Sequence, residues 1–153
     1  MENKVEIKRK LVSLCEEYVN NKISVAQEAI DNAQKSANEE TRSSAGDKYE
    51  TGRSMMQLEI EKFSAQLNEG LNLKKTLIQI DFERTYETIQ PGSLIYTNNG
   101  GFLIAISAGR LLVGQDSFMT ISLSSPIGQA LYKKKVSDKI GFRNKTYLIK
   151  SIA

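Results

Sequence analysis

The sequence contains no histidine and only one cysteine among its 153 residues. The missing histidine removes the commonest general base, the usual serine and cysteine catalytic triads, and the commonest zinc ligand. Cys15 cannot form an intramolecular disulfide, which is typical of a reducing compartment. Because it follows Leu14 in a helical pattern, we expect Cys15 to be a buried or half-buried apolar residue. These absences argue against most ordinary hydrolases and metalloenzymes.

Long apolar runs are also missing, since no stretch approaches the roughly 18 residues of a membrane span. The first twenty residues carry charges throughout, so they lack the apolar core of a signal peptide. We therefore expect a cytoplasmic protein with no membrane partner. Apolar residues make up 40% of the chain and charged residues 25%, which is typical of one ordinary globular domain or two small ones.

Charge is distributed unevenly along the chain. The first eighty residues hold 12 Lys and Arg against 13 Asp and Glu, whereas residues 81–153 hold 9 against 5. This basic excess is too mild by itself to indicate nucleic-acid binding. Four basic residues near the N-terminus are interpreted as a solvated helix start, with a phosphate-contacting patch as the alternative. They are Lys4, Lys8, Arg9 and Lys10.

Apolar residues recur in steps of three and four on both sides of the polar segment 38–50, which predicts two amphipathic helices. The first stripe comprises Ile7, Leu11, Leu14 and Tyr18, and then, in a shifted frame, Ala26, Ile30, Ala33 and Ala37. The second comprises Tyr49, Met56, Ile60, Phe63 and Leu67. We expect an antiparallel helical hairpin about 45 Å long, with Ser43 to Gly46 near its tip. The change of frame predicts an irregularity in the pairing between Tyr18 and Ala26.

The predicted helices run over about residues 5–38 and from the tip to about residue 78. Asp47 is an N-cap candidate for the second helix, with Glu50 three residues later as in a capping box. Gly70 interrupts the second helix at a cost near 1 kcal/mol relative to alanine. We therefore expect the helix to fray or bend there.

The sequence changes character at Pro91-Gly92, a turn signal that predicts a boundary. Short runs rich in β-branched and aromatic residues follow and predict six strands. They lie near 93–97, 101–107, 110–114, 117–123, 138–142 and 145–152. Ser124-Ser125-Pro126 opens a short helix to about Lys133. The predicted fold class is α+β, with a helical hairpin over 1–80, a linker over 81–92 and a small β-rich domain over 93–153.

Two further features receive structural interpretations. Lys133, Lys134 and Lys135 follow the short helix and can complement its C-terminal dipole, with contact to nucleic acid or an acidic protein as the alternative. Tyr96 and Tyr132 do not belong to an aromatic and basic RNA-binding motif, so we expect them to be packed in or near the core.

The segment ISLSSPIGQAL, Ile121 to Leu131, is followed by KKVSD and by the closing run TYLIKSI. This pattern resembles the C-terminal domain of the bacterial transcript cleavage factors GreA and GreB, in which ISVxSPIARALIGKKVGD precedes a strand like EYEILEI. The resemblance covers about residues 90–152, and those factors also carry an N-terminal coiled-coil hairpin.

The resemblance implies an FKBP-like domain that docks at the rim of the RNA polymerase secondary channel. It implies that the hairpin reaches down the channel, where acidic tip residues help to hold a catalytic magnesium that cleaves backtracked RNA. The chain itself would then be no enzyme and hold no cofactor or metal, would meet nascent RNA or DNA only within the polymerase complex, and would be a monomer. The implied docking residues are Ser124, Ser125, Pro126 and Ile127.

The tip departs from the family pattern, which is similar to DLSENAEY. Glu40 takes the position of the Asp, Ser43 stands where the first Glu should be, and two residues are inserted before Tyr49. A magnesium site needs clustered carboxylates, whereas Arg42 adds positive charge here. Four acids could form a different acidic tip, or else be caps and solvated charges. They are Glu39, Glu40, Asp47 and Glu50.

Three functions follow from these observations. The first is a regulator that binds RNA polymerase through residues 93–152, inserts its hairpin into the secondary channel and alters backtracking, pausing or initiation. The second keeps the family activity and stimulates cleavage of backtracked transcripts through the tip acids. The third is a coiled-coil adapter outside transcription that dimerises through the hairpin.

Overall fold

A computed structural model describes residues 3–41 and 46–153, with the side chains of residues 40, 41 and 46–51 excepted. Two helices are followed by six strands and a short third helix, which confirms the predicted α+β class. The elements are α1 (Lys4–Thr41), α2 (Gly46–Gln79), β1 (Leu94–Thr97), β2 (Gly100–Ala105), β3 (Gly109–Val113), β4 (Asp116–Ser122), α3 (Pro126–Leu131), β5 (Lys139–Phe142) and β6 (Lys145–Ile152).

The chain forms two compact units. One unit combines residues 1–17 with residues 75–153, and the other comprises residues 18–74. The predicted domain boundaries stay a prediction. Among the described residues, no helix combines the length and apolar character that a membrane span requires.

In the helical unit, the buried residues of α1 include Val19, Ala26, Ile30 and Ala33. The small side chains of Ala26 and Ala33 allow α2 to come close. The predicted stripe on α2 is half-buried, because a helix pair covers each helix from one side only. Its described members are Met56, Ile60, Phe63 and Leu67, whereas the side chain of Tyr49 lies outside the described residues.

The predicted stripe of α1 is partly wrong. Cys15 and Val19 are buried at 0% and 1% exposure, whereas Tyr18 is 39% exposed and Leu14 is half-buried. With Cys15 and Val19 in place, the buried positions follow Leu11 in steps of four, and the half-buried Lys22 and Ile23 lead on to Ala26. The stripe therefore needs no change of frame, and α1 continues as one helix.

Gly70 does not end α2, which continues to Gln79. The residue is buried, and a Cβ atom built on it would lie 2.8 Å from Cγ1 of Ile23. This separation is too short for two carbon atoms, so the glycine allows α1 and α2 to approach closely. Close approach, rather than the expected fraying, is the structural consequence of Gly70.

The six strands form one mixed sheet in the order β3-β4-β2-β1-β6-β5. β2 and β4 are parallel, and the other neighbours are antiparallel. Two-residue turns close the β1–β2 and β5–β6 hairpins. In the second turn Arg143 and Asn144 have φ of 49° and 66°, the left-handed conformation that such turns need.

Both faces of the sheet are covered at its centre. Consecutive strand residues point to opposite faces, yet Leu94 and Ile95 are both 0% exposed, and so are Leu103 and Ile104. One face packs on a core that includes Leu131 of α3. That core comprises Ile89, Ile95, Phe102, Ile104, Ile121, Leu131, Ile140, Tyr147 and Ile149.

The opposite face carries Tyr96, whose ring meets that of Phe118 edge to face at a centroid distance of 5.7 Å. Phe118 lies over Gly101, where any side chain would collide with it. Lys4 of α1 lies over the Tyr96 ring at 5.2 Å, and Ile7 lines a groove with Tyr96. The first turns of α1 therefore cover this second face.

Candidate functional site

The loop before α3 contains the predicted docking residues. Ser125 is the N-cap of α3, and its Oγ accepts a hydrogen bond from the Gly128 amide at 3.1 Å. The same Oγ donates to the Ser122 carbonyl at 2.7 Å. Pro126 occupies the first turn of α3, where a backbone N–H would have no acceptor within the helix, so its missing N–H costs no hydrogen bond. The predicted helix start is confirmed.

The four predicted docking residues differ in how far solvent can reach them. Ser124 and Pro126 are exposed, whereas Ser125 and Ile127 are half-buried. Ile127 packs against the core of the sheet domain, and Ser125 is committed to its cap. A partner that approached this loop would meet Ser124 and Pro126 first.

The tip of the hairpin lies largely outside the described residues. The exposed Glu39 precedes Glu40, and both belong to α1. Asp47 and Glu50 belong to the first turns of α2, but their side chains and that of Glu40 are outside the description. Ser43 and Ser44 are outside it altogether. In the part of the chain whose side chains are described, no three acidic or cysteine residues form a metal-binding group.

Lys8 is a site that the sequence interpretation missed. The solvated helix start predicted there is wrong for this residue, which is 3% exposed. Its Nζ donates to the carbonyls of Arg84 at 3.0 Å and Gly92 at 2.9 Å, and it lies over the Tyr86 ring at 5.3 Å. Burial lowers the pKa of Lys8, although Asp81 and Glu83 act in the opposite direction.

The segment after α2 is held in place by further hydrogen bonds. Tyr86 donates from its hydroxyl to the Asp81 carbonyl at 2.8 Å, and the Gly92 amide donates to the Ile104 carbonyl at 2.8 Å. Gly92 has φ of +98°, a conformation that favours glycine. Ile89 is fully buried and exchanges backbone hydrogen bonds with Lys133 and Lys134.

Basic residues are concentrated between positions 133 and 150. This stretch holds seven Lys and Arg but only one acidic residue, Asp138. All seven are exposed. We call this group the C-terminal basic surface, and its members are Lys133, Lys134, Lys135, Lys139, Arg143, Lys145 and Lys150.

The two tyrosines considered in the sequence are half-buried, as predicted. Tyr96 packs on Phe118. The pKa of its hydroxyl is raised, mainly by burial and to a smaller extent by the negative charge of Asp116. Tyr132 ends α3 beneath the Lys133 amine, which lies 5.3 Å from the centre of its ring. Both rings therefore have packing roles within the sheet domain.

No protein-family model matches the chain, and no curated protein matches it. The architecture of a long helical hairpin followed by a β domain is compatible with a GreA-like fold.

Proposed function

We propose that this chain is a cytoplasmic, Gre-like regulator that binds RNA polymerase through residues 93–152 and inserts its helical hairpin into the secondary channel. The observation that carries the proposal is the pairing of two long helices with a sheet domain whose short helix opens on the Ser-Ser-Pro-Ile sequence. The polymerase would supply the chemistry and the magnesium, and this chain would bind and position.

Docking is tested at the exposed side of the α3 loop. Ser124→Arg places a long charged side chain where a partner would approach, and Ser107→Arg makes the same change at another exposed serine of this unit. Ser124→Arg should weaken binding to purified polymerase at least about tenfold, which is about 1.4 kcal/mol. Ser107→Arg should bind as the parent chain does. Equal binding by both variants, or no binding of the parent chain at micromolar concentration, would sink the proposal.

Ser125→Ala is the third variant in that series. It removes the cap of α3, which costs about 1 kcal/mol of stability, while leaving the exposed docking residues unchanged. Polymerase binding by Ser125→Ala is measured at a temperature where this variant stays folded. The result distinguishes weaker binding caused by a destabilised α3 from weaker binding caused by the loss of an exposed docking contact.

Cleavage is tested separately, with stalled and backtracked elongation complexes. Alanine at Glu39, Glu40, Asp47 and Glu50 should abolish shortening of the nascent RNA and leave polymerase binding intact if the acids hold magnesium. The control removes the same charge from exposed acids elsewhere on the helices, at Glu16, Glu28, Glu59 and Glu61. Unchanged cleavage in the tip variant would remove these acids from the mechanism. Binding by the parent chain without cleavage would favour a regulator of another transcription step.

A coiled-coil adapter remains the second candidate, because several large apolar residues on the helical unit are exposed. They are Tyr18, Val25, Met55, Leu58 and Leu71. Such side chains are suited to a helical partner, including a second copy of the chain. Sedimentation equilibrium that reports a monomer at high micromolar concentration would argue against a dimeric adapter.

A further inference from the structure

Within the C-terminal basic surface, Lys135, Lys139 and Lys150 lie close together around the start of β5. Lys135 accepts a backbone hydrogen bond from Asp138, and Asp138 accepts one from Ile149, the neighbour of Lys150. Lys139 is paired with Leu148 in the β5–β6 ladder. Residues far apart in sequence are thus joined through consecutive backbone hydrogen bonds.

Two lysines of the β5–β6 hairpin, Lys139 and Lys150, lie on the face opposite the core. Ile140 and Tyr147 face each other and are both buried. Because side chains alternate along a strand, Lys139 and Lys150 share the other face as diagonal neighbours, about 7–8 Å apart at their backbones. Gly141 follows on this face, with open space where a Cβ would be, so the surface beside the lysines is unobstructed.

Little negative charge balances these cations. The ion pairs recorded in the described part of the chain join Arg9 to Glu83 and Lys22 to Glu69, and neither involves the basic surface. One carboxylate oxygen of Asp138 accepts from the Lys135 amide at 2.8 Å. Glu87 is the other nearby acid, since it adjoins Thr88, which bridges to Lys135.

Unbalanced charge of one sign costs stability through mutual repulsion, which a bound polyanion would relieve. Six of the seven cations are lysines, and lysine is depleted at protein–protein interfaces. Lysine suits the phosphates of a nucleic-acid backbone, where it acts as a point charge without reading sequence. Val136 is 48% exposed and is the one large aliphatic side chain exposed among positions 133–150.

We propose that the C-terminal basic surface binds the phosphate backbone of nucleic acid without sequence preference. The choice of nucleic acid over an anionic lipid surface rests on the proposed function, because a transcription complex presents both DNA and RNA. The binding site itself needs no polymerase. It would hold the sheet domain against nucleic acid outside the enzyme, independently of the hairpin.

The test uses the full chain and labelled oligonucleotides of ~20 nucleotides, single-stranded and duplex, without polymerase. Fluorescence anisotropy should give a dissociation constant of about 10⁻⁴ to 10⁻⁶ M near physiological salt, with affinity falling steeply between about 50 and 200 mM salt. The variant Lys135→Gln/Lys139→Gln/Lys150→Gln should bind about tenfold more weakly or worse. The slope of log affinity against log salt should also fall by about one for each lysine that contacts a phosphate.

The matched control is Lys62→Gln/Lys74→Gln/Lys75→Gln, which removes the same charge at exposed positions of α2. It should bind the oligonucleotides nearly as the parent does. Equal loss in the two variants, or no binding by the parent at low salt, would overturn the proposal. So would binding to vesicles of phosphatidylcholine and phosphatidylserine without binding to oligonucleotides. If the parent chain binds oligonucleotides but does not bind polymerase, the proposed function is rejected and the proposed nucleic-acid binding by this surface is retained.

Discussion

Lys8 shows how one residue can join an N-terminal helix to a segment eighty residues away. Its amine is buried and satisfies two carbonyls, those of Arg84 and Gly92. When the donor of a buried hydrogen bond is removed, the acceptor has neither water nor another protein group to pair with, and this costs stability. The residue therefore holds the start of α1 against the chain that enters β1.

Replacement of Lys8 by methionine should lower the free energy of unfolding by about 2 kcal/mol, because the two carbonyls lose their donor. Lys35→Met, at an exposed position of the same helix, should change it by less than about 0.5 kcal/mol. Urea unfolding followed by circular dichroism measures both. A cost for Lys8→Met no greater than for Lys35→Met would contradict the role assigned to this amine.

The same residue predicts a pH dependence. Burial lowers the pKa of Lys8 in the folded chain below its ordinary value of 10.5. At a pH between the folded and the unfolded pKa, the unfolded chain therefore binds more protons than the folded chain. The contribution of Lys8 to stability should therefore rise as pH increases through that interval. The rise should appear as a difference between the parent chain and Lys8→Met in urea unfolding across alkaline pH. The opposite slope would mean that the two hydrogen bonds outweigh burial.

Cys15 should be chemically inert while the chain is folded. It is 0% exposed, and burial raises the pKa of its thiol to about 11, so the reactive thiolate is scarce near neutral pH. A thiol reagent at mild pH should label it only as fast as the protein opens. Ser24→Cys adds a thiol at an exposed position of α1 and should be labelled at once. Immediate labelling of the parent chain would show that α1 is not packed as described.

At the scale of elements, Gly70 illustrates a helix position where propensity and packing disagree. Alanine is favoured over glycine inside a helix by about 1 kcal/mol, yet its Cβ would lie 2.8 Å from Cγ1 of Ile23. The crowded atom is near the branch point of a stiff side chain, so it cannot move away without cost. The structure thus predicts that packing outweighs propensity.

A double-mutant cycle tests this prediction. Gly70→Ala should destabilise the chain by about 1–2 kcal/mol, as overpacking does. In an Ile23→Ala background, the same change should become neutral or stabilising, because the obstructing Cγ1 is gone. Thermal and urea unfolding give the four stabilities. Equal effects of Gly70→Ala in the two backgrounds would show that the two residues do not meet.

At the scale of the whole molecule, the sheet domain depends on the first turns of α1. Residues 1–17 and 75–153 form one unit, in which Lys4 covers the Tyr96 ring. A sheet whose second face is stripped of its helix would expose apolar strand residues to water. The β-rich half therefore needs a segment from the opposite end of the sequence.

A chain of residues 75–153 alone should consequently be less stable than one in which residues 1–17 are joined to residues 75–153 by a flexible Gly-Ser linker. We expect cooperative thermal unfolding of the joined chain, and a lower or absent transition for the fragment. A joined chain that carries Lys8→Met should lie between the two. Equal stability of fragment and joined chain would show that the sheet domain is complete without α1.

Local patterns in the sequence were sufficient for the secondary structure. The period of the apolar residues, the Ser125-Pro126 start and the turn residues predicted two long helices, six strands and a short helix, because these signals act between residues close in the chain. The same local basis explains one error. Leu14 and Tyr18 fit a helical step as well as Cys15 and Val19 do, and only the packed partner distinguishes the two pairs.

Burial and charge grouping were decided by the tertiary structure. A lysine near a helix start is typically solvated, and nothing local shows that Lys8 meets carbonyls at positions 84 and 92. Counted over residues 81–153, the basic excess is mild. In the fold, however, three of the acids in this stretch act on residues outside the basic surface: Asp81 and Glu83 act on Lys8, and Asp116 acts on Tyr96. The sequence by itself thus determined the helices, strands and turns of this protein, whose causes are local. Only the fold decided which cations stand without acids beside them, because that depends on contacts between distant segments.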